Sequence, residues 1–415
     1  MKRTQLKIAI VAFLLVIVGA SLCMADDLGN RDPFPRMPRC DLQTIADQSE
    51  SVIDLGWQVY TLDQLILFPN HNGKTFVNGY IRCNPLASNK NASIAIVRKL
   101  KWFGIQYPDG PINLTFENCH FDGGFDYDCG LQAHNELVAE QQGRACNIIS
   151  TITYGIESLT LKRCTFSNCG NSGVTANAKI LIVEDCRLYQ ISKHGFGIRG
   201  ASAGGNVTNL KNLTFENCGN ALDFHDDIQA RAGREPHIAR AENLLLRNMR
   251  GRTKLNDSNL DLTLINFDAQ QDDAANLDHY PALDVVMRPR ALKVTGFNAR
   301  NYWAHGIRFA QDTTDASGPI DIVDGVIDNS LNAMTLQQPV NVELMTYRKC
   351  NFEYRVQGPV SQDSNVTAQV GSDLYWAQTL DACEYKMAAF NAEHGTAYVL
   401  SYWIPNDVLA LMESK

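Results

Sequence analysis

Several segments of this chain place ionisable residues at matching offsets from a short polar-then-small pair. The clearest are His194-Gly-Phe-Gly-Ile-Arg, Asn220-Ala-Leu-Asp-Phe-His and His305-Gly-Ile-Arg-Phe-Ala. Asn171-Ser-Gly-Val-Thr-Ala and Asn332-Ala-Met-Thr-Leu-Gln share the form, and Pro281-Ala-Leu-Asp-Val-Val fits the same frame. In a strand, alternate side chains leave opposite faces. The third and fifth residues are mostly apolar or small: Gly173/Thr175, Phe196/Ile198, Leu222/Phe224, Ile307/Phe309 and Met334/Leu336. They are expected to face a core. The fourth and sixth then face solvent, which puts Gly197 and Arg199 outward on one strand and Asp223 and His225 on the next. Asp284 and Arg308 follow further along. Strands lie about 4.8 Å apart, so Arg199 is expected within reach of Asp223 and His225. A carboxylate, an imidazole and guanidinium groups on one exposed sheet suit an acidic sugar. Arginine pairs bidentately with a uronate carboxylate. His225 could then remove or return a proton at C5, the carbon beside that carboxylate.

Arg308, Asp284 and Asp226 are the expected substrate-contacting residues around this centre, although Asp226 and Asp227 equally suit a solvated loop. His194 and His305 occupy a turn position held by Asn171, Asn220 and Asn332 in other copies. Polar side chains there can satisfy turn backbone groups, so both histidines are expected to be structural. Asp122-Gly-Gly-Phe-Asp-Tyr-Asp gathers three carboxylates in a loop rich enough in oxygen for calcium, but it matches no defined calcium-loop spacing. His134, Asn135 and Glu136 sit in the same long insertion and could wall a groove. No cofactor is expected. HExxH, GxxxxGK[ST] and CxxC are all absent from the sequence.

These residues are positioned by a recurrent phrase. Asn113-Leu-Thr-Phe-Glu-Asn-Cys-His-Phe returns as Ser158-Leu-Thr-Leu-Lys-Arg-Cys-Thr-Phe and Ile180-Leu-Ile-Val-Glu-Asp-Cys-Arg-Leu, then as Asn212-Leu-Thr-Phe-Glu-Asn-Cys-Gly. Looser copies place Met249, Phe267, Phe297 and Gly325 in the cysteine slot, and Met345-Thr-Tyr-Arg-Lys-Cys-Asn-Phe closes the series. The slots are 18 to 45 residues apart, the spacing of a repeat architecture. Period-two alternation makes the unit a strand. One unit cannot bury its own apolar face, whereas stacked copies bury a continuous column. Cys119, Cys164, Cys186, Cys218 and Cys350 are therefore expected in one interior slot, as small buried hydrophobes. Cys129 with Cys146, and Cys40 with Cys83, are the candidates for disulfides, and spacing alone does not settle either pairing.

Over about Leu114 to Phe352 the ladder resembles the right-handed parallel β-helix superfamily that includes pectate lyases and alginate-active enzymes. Asp223-Phe-His-Asp-Asp further resembles the Asp-Pro-His-Asp/Glu motif of mannuronan C5-epimerases, with Phe224 where that family has proline. The resemblance implies an all-β, right-handed parallel β-helix solenoid. It also implies a catalytic centre with His225 as base, Asp223 as its partner and Arg199 or Arg308 as neutraliser of the uronate. Lyase and epimerase share the first proton abstraction, and the sequence does not separate them.

The ends and the composition bound the rest. Met1-Lys-Arg, an apolar run from Ile8 to Leu22 and the small Ala25 read as a secretory signal peptide over 1–25. The run is shorter than the ~20 residues that span a bilayer, so release is expected rather than stable membrane insertion. Cleavage would remove Lys2, Arg3 and Lys7 and move the formal charge from −8 to −11. That balance argues against nucleic acid, which needs clustered Lys and Arg. An N-terminal cap is expected over 26–111, the helix over 112–360, and a partly helical capping tail over 361–415. The expected protein is secreted, extracellular or periplasmic, with an acidic polysaccharide as partner. The alternative is a non-catalytic β-helix used for adhesion, surface binding or structure.

Overall fold

The computed structural model describes residues 42–62, 64–83, 92–97, 101–102, 105–106, 110–124, 147–152, 155–199, 205–225, 235–272, 280–302, 305–310, 319–330, 332–336, 340–348, 350, 352–356 and 366–370. The chain comprises two compact units, 1–40 and 41–415, and the described residues all lie in the second. The expected signal segment, the long insertion after Gly124 and the aromatic tail from Gly371 fall outside the described residues.

Two long sheets, one of 15 strands and one of 11, run in chain order from one end to the other. Each coil adds a long strand to the first and a short strand to the second, always parallel to the coil before. The architecture is an all-β parallel β-helix, as the repeat requires. It begins earlier than the boundary expected at 112. Lys74–Cys83 pairs along Asn113–Asp122, with Phe76 opposite Phe116 and Gly79 opposite Cys119. Gly79 hides the repeat there, because it stands where later coils have cysteine. The helix Leu42–Ala46 lies against this first coil. The Gln43 side chain donates to Ile66 O at 3.1 Å and accepts from Ile66 N–H at 3.0 Å. One amide thus imitates a neighbouring strand and covers an otherwise open edge. At the other end, Val366–Val370 pairs with Asn341–Arg348, so the long sheet continues past the expected limit at 360.

The core is a set of ladders. Phe76 stacks on Phe116 at 5.1 Å, Phe121 on Phe166 at 4.8 Å and Phe267 on Phe297 at 5.0 Å, all fully buried. Burying one such side chain contributes roughly 1.5–3 kcal/mol. In the 11-stranded sheet Phe196, Ile198, Leu222, Phe224, Val285, Ile307, Phe309 and Met334 point inward, as expected, and Leu255 joins them. Gly195 shows why a small residue follows the polar one. A Cβ there would lie 2.6 Å from the Phe215 ring and 2.8 Å from Ala221 O.

Long strands turn corners through single residues with positive φ. Asn118, Arg163, Asp185, Asn212, Asn243 and Asn266 form one such column, with φ between 51° and 56°. Asparagine tolerates this left-handed region, and its amide can bond the coil below. Asn243 Nδ2 donates to Asn212 Oδ1 at 2.8 Å and Asn266 Nδ2 to Asn243 Oδ1 at 2.9 Å. A second column lies five residues further, at Asn168, Gln190, Asn217 and Asn248, then at Asn301 and Asn329.

The two columns correct the single cysteine slot. Cys119, Cys164 and Cys186 follow the first bend, in register with Leu213, Phe267, Phe297 and Gly325. Cys218 and Met249 follow the second bend, and Cys350 bonds Ile327 O as Cys218 bonds Leu188 O. The phrase Asn-Leu-Thr-Phe-Glu-Asn-Cys therefore occupies different parts of the coil at 113 and at 212. Both bends precede an inward residue and then an alternating stretch, so the local pattern is the same at each. Burial pushes the Cys218 thiol up to about 12, and burial also raises Cys164. These are inert interior thiols, not reactive ones.

Candidate functional site

Five consecutive strands of the 11-stranded sheet build the candidate site: His194–Arg199, Asn220–His225, Thr253–Asn256, Leu283–Val285 and His305–Phe309. Their outward residues pair across the sheet in one row, Gly197 with Asp223, Asp223 with Lys254, Lys254 with Asp284, and Asp284 with Arg308. A second row holds Arg199, His225 and Asn256. Arg199, Asp223, His225, Asp284 and Arg308 thus lie on one sheet. Asp226 lies outside the described residues. One copy is displaced by a residue from the expected frame. Val174 and Ala176, not Gly173 and Thr175, face the core, and Thr175 joins the outward row beside Gly197.

Lys254 stands between the two carboxylates and was missed in the sequence. Its strand, Thr253-Lys254-Leu255-Asn256, alternates like the others, but Gly251-Arg252 replaces the leading polar-then-small pair. The alternation alone could have revealed it.

Pairing at Asp223 differs from the expectation. His194 Nε2 approaches Asp223 Oδ2 at 3.4 Å, and Asn220 Nδ2 bonds His194 Nδ1 at 3.1 Å. The imidazole that orients Asp223 is therefore His194, which the sequence assigned only to the turn. It does both: it opens the strand His194–Arg199, and its ring lies beside the following coil. Burial pulls the His194 pKa down to about 4, against the raising influence of Asp223. The ring is neutral near pH 7 and accepts at Nδ1, which leaves its proton on Nε2, the nitrogen 3.4 Å from the carboxylate. Asp223 is 8% exposed, and its Oδ1 is buried with no hydrogen-bond partner among the described residues.

His225 is held by Asn256, whose Nδ2 bonds His225 Nδ1 at 2.8 Å. With Nδ1 accepting from the amide, Nε2 is the ring nitrogen left to carry a proton. The ring expected to act as base is thus hydrogen-bonded through Nδ1. Between Thr175 and Asp223 the row has no side chain. A Cβ built on Gly197 would meet nothing closer than Thr175 Oγ1 at 3.7 Å and His194 Cδ2 at 3.9 Å. The result is a notch in the row of side chains, one Cβ deep, between Thr175 and Asp223 at a glycine that is itself buried.

Asp284 is not available to a substrate as expected. It is 0% exposed. Arg308 clamps it bidentately through Nε and Nη2, both at 2.8 Å. Arg252 pairs with the same carboxylate and lies over the Tyr280 ring at 5.1 Å. A buried carboxylate needs such partners, because desolvating an unpaired charge is costly. Elsewhere, Asp122 accepts from Gly124 N at 2.9 Å, Asn168 Nδ2 at 3.2 Å and Tyr80 Oη at 3.3 Å. Its expected calcium-loop companions, and the insertion carrying His134, Asn135 and Glu136, lie outside the described residues. Among the described residues, no group of three His, Cys, Asp or Glu side chains could hold a metal ion. No described helix is long and apolar enough to cross a membrane.

Fold and outward row together define a parallel β-helix protein with a polar, partly buried site on its short-stranded sheet. No family model matches the chain, and no curated protein matches it. Among solved structures it is similar to the catalytic domain of a GH87 alpha-1,3-glucanase in complex with nigerose, with TM-score 0.39 and 11% identity. The match covers 79% of this chain and 64% of that one, so the chain spans less than two thirds of the domain. A variant of that domain in complex with tetrasaccharides matches with the same TM-score and coverage at 10% identity.

Proposed function

We propose that this protein is a carbohydrate-active β-helix enzyme that binds an acidic polysaccharide along the outward row and abstracts the C5 proton of a uronate. The observation that carries the reading is the buried Asp223 Oδ1, without a hydrogen-bond partner among the described residues, beside the notch over Gly197. A sugar seated there would bring its C5–H to Asp223 while His194 holds the carboxylate in place. Arg199 and Lys254 flank this point, one in the row beside it and one on the next coil. Either can neutralise the uronate carboxylate, which makes the neighbouring C–H more acidic. Asp223 takes the proton, and His225 Nε2–H supplies one. Delivery to the departing glycosidic oxygen gives a lyase, and delivery to the opposite face of C5 gives an epimerase.

The test is incubation with alginate, pectate and other uronates, following ultraviolet absorbance of unsaturated product and proton NMR of epimerised residues. Asp223→Asn should lower turnover by roughly 10²-fold or more, the range for a general base, while leaving binding intact. Wild-type protein that turns over no uronate, or an Asp223→Asn variant with full activity, would sink the mechanism. Tight binding without turnover would instead support the non-catalytic alternative.

A further inference from the structure

We infer that Arg252, Arg308 and Tyr280, from three successive coils and assembled on the buried Asp284, form a second sugar subsite that takes an anionic group of the same polysaccharide, centred two coils from Asp223. The inference rests on the reading that the outward row binds an acidic polysaccharide. One fully buried carboxylate between two guanidinium groups leaves an excess positive charge, and Lys254 adjoins it in the same row. The two arginines are not loose surface chains. Arg308 is fixed by two bonds to Asp284, and Arg252 by its ion pair and by the Tyr280 ring. Their side chains remain 33% and 20% exposed. Cations already held in place lose little conformational freedom when they meet an anion. Guanidinium edges left beside the buried carboxylate suit a second carboxylate or a sulfate. Tyr280 is 44% exposed and offers an aromatic surface to the apolar face of a pyranose.

Spacing gives the subsite a definite reach. Asp284 is two strands from Asp223 and Arg308 is three, or roughly 10 and 14 Å at the usual strand separation. One strand spacing is comparable to the advance of one pyranose in an extended chain. An anionic group held at Arg252 and Arg308 therefore belongs to a sugar two or three residues from the reacting one. Short oligouronates cannot reach both points, and longer ones can.

Isothermal titration of the full-length Asp223→Asn protein with oligouronates of about two to six sugars tests this without consuming ligand. Affinity should rise by roughly ten-fold between the disaccharide and the tetrasaccharide and then level off. Tyr280→Ala and Arg252→Ala should each remove that step and leave disaccharide binding unchanged. Tyr280 is on the surface, so its variant keeps the test valid even if Arg252→Ala misfolds. Tyr280→Phe should keep the step. A step that survives Tyr280→Ala, or that neutral oligosaccharides of equal length reproduce, overturns the subsite. If the disaccharide binds and no step appears, only the subsite fails. If no uronate of any length binds, the proposed function fails with it.

Discussion

His194 shows how one side chain can serve the fold and the site together. In other coils its place at the turn is taken by asparagine, as at Asn220. The ring reaches Asp223 because the next coil stacks directly beneath it. Burial depresses its pKa from 6.5 to about 4. The unfolded chain therefore binds more protons than the folded one between these values, and stability rises with pH across that window. His194 stabilisation is fully present above about pH 6.5 and is lost as pH falls towards 4. Thermal melts of His194→Asn across this range should show a flatter acid limb than wild type, with the difference fading above pH 6.5. Gly197 gives a second residue-scale prediction. The space above it admits a Cβ at ordinary contact distance. Gly197→Leu should keep a melting temperature near that of wild type yet abolish uronate turnover by filling the notch. A large fall in melting temperature, or retained turnover, would count against the notch as the binding point.

At the scale of the element, the bends decide where each strand points. Asn243 sits at φ 56° and exchanges amide bonds with Asn212 and Asn266. Asn243→Ala loses both bonds and the side-chain amide that makes the left-handed region tolerable, where alanine costs roughly 1–2 kcal/mol, so its total loss should be about 2–4 kcal/mol. Asn243→Gly keeps the backbone comfortable and should lose less. Urea midpoints of the two variants provide the comparison, and equal losses would show that conformation contributes nothing. The element scale also explains a limit of the sequence. Bends recur five residues apart, and each is followed by an inward side chain. Asn212-Leu-Thr-Phe-Glu-Asn-Cys therefore matched Asn113-Leu-Thr-Phe-Glu-Asn-Cys residue for residue while sitting one bend out of register. Only hydrogen bonding between coils distinguishes the two placements.

For the whole molecule, each coil touches mainly its neighbours, so damage should stay local. Phe121 is fully buried, stacked on Phe166 at 4.8 Å and edge-on to Phe116 at 5.6 Å. Phe121→Ala should cost about 3–5 kcal/mol. Hydrogen exchange should accelerate in Lys74–Cys83, Asn113–Asp122 and Ile156–Lys162, with little change in Ile320–Asp328. Uniform acceleration along the chain would show a single cooperative unit instead.

Sequence alone determined that this chain forms stacked strands, which residues line the core of most coils, and that Arg199, Asp223, His225, Asp284 and Arg308 lie on one sheet. Those features follow from alternation and from bend-tolerant residues, which are local. Tertiary structure decided what each group pairs with. It joined Asp223 to His194, gave His225 to Asn256, and buried Asp284 between Arg252 and Arg308. It also inserted Lys254 into the row and split the cysteines between two bends. Each of these depends on the register between coils some 20 to 45 residues apart, set by backbone ladders and core packing along the whole stack. A strand's own alternation fixes which way its side chains face. It does not say which side chain of the next coil will lie beside them.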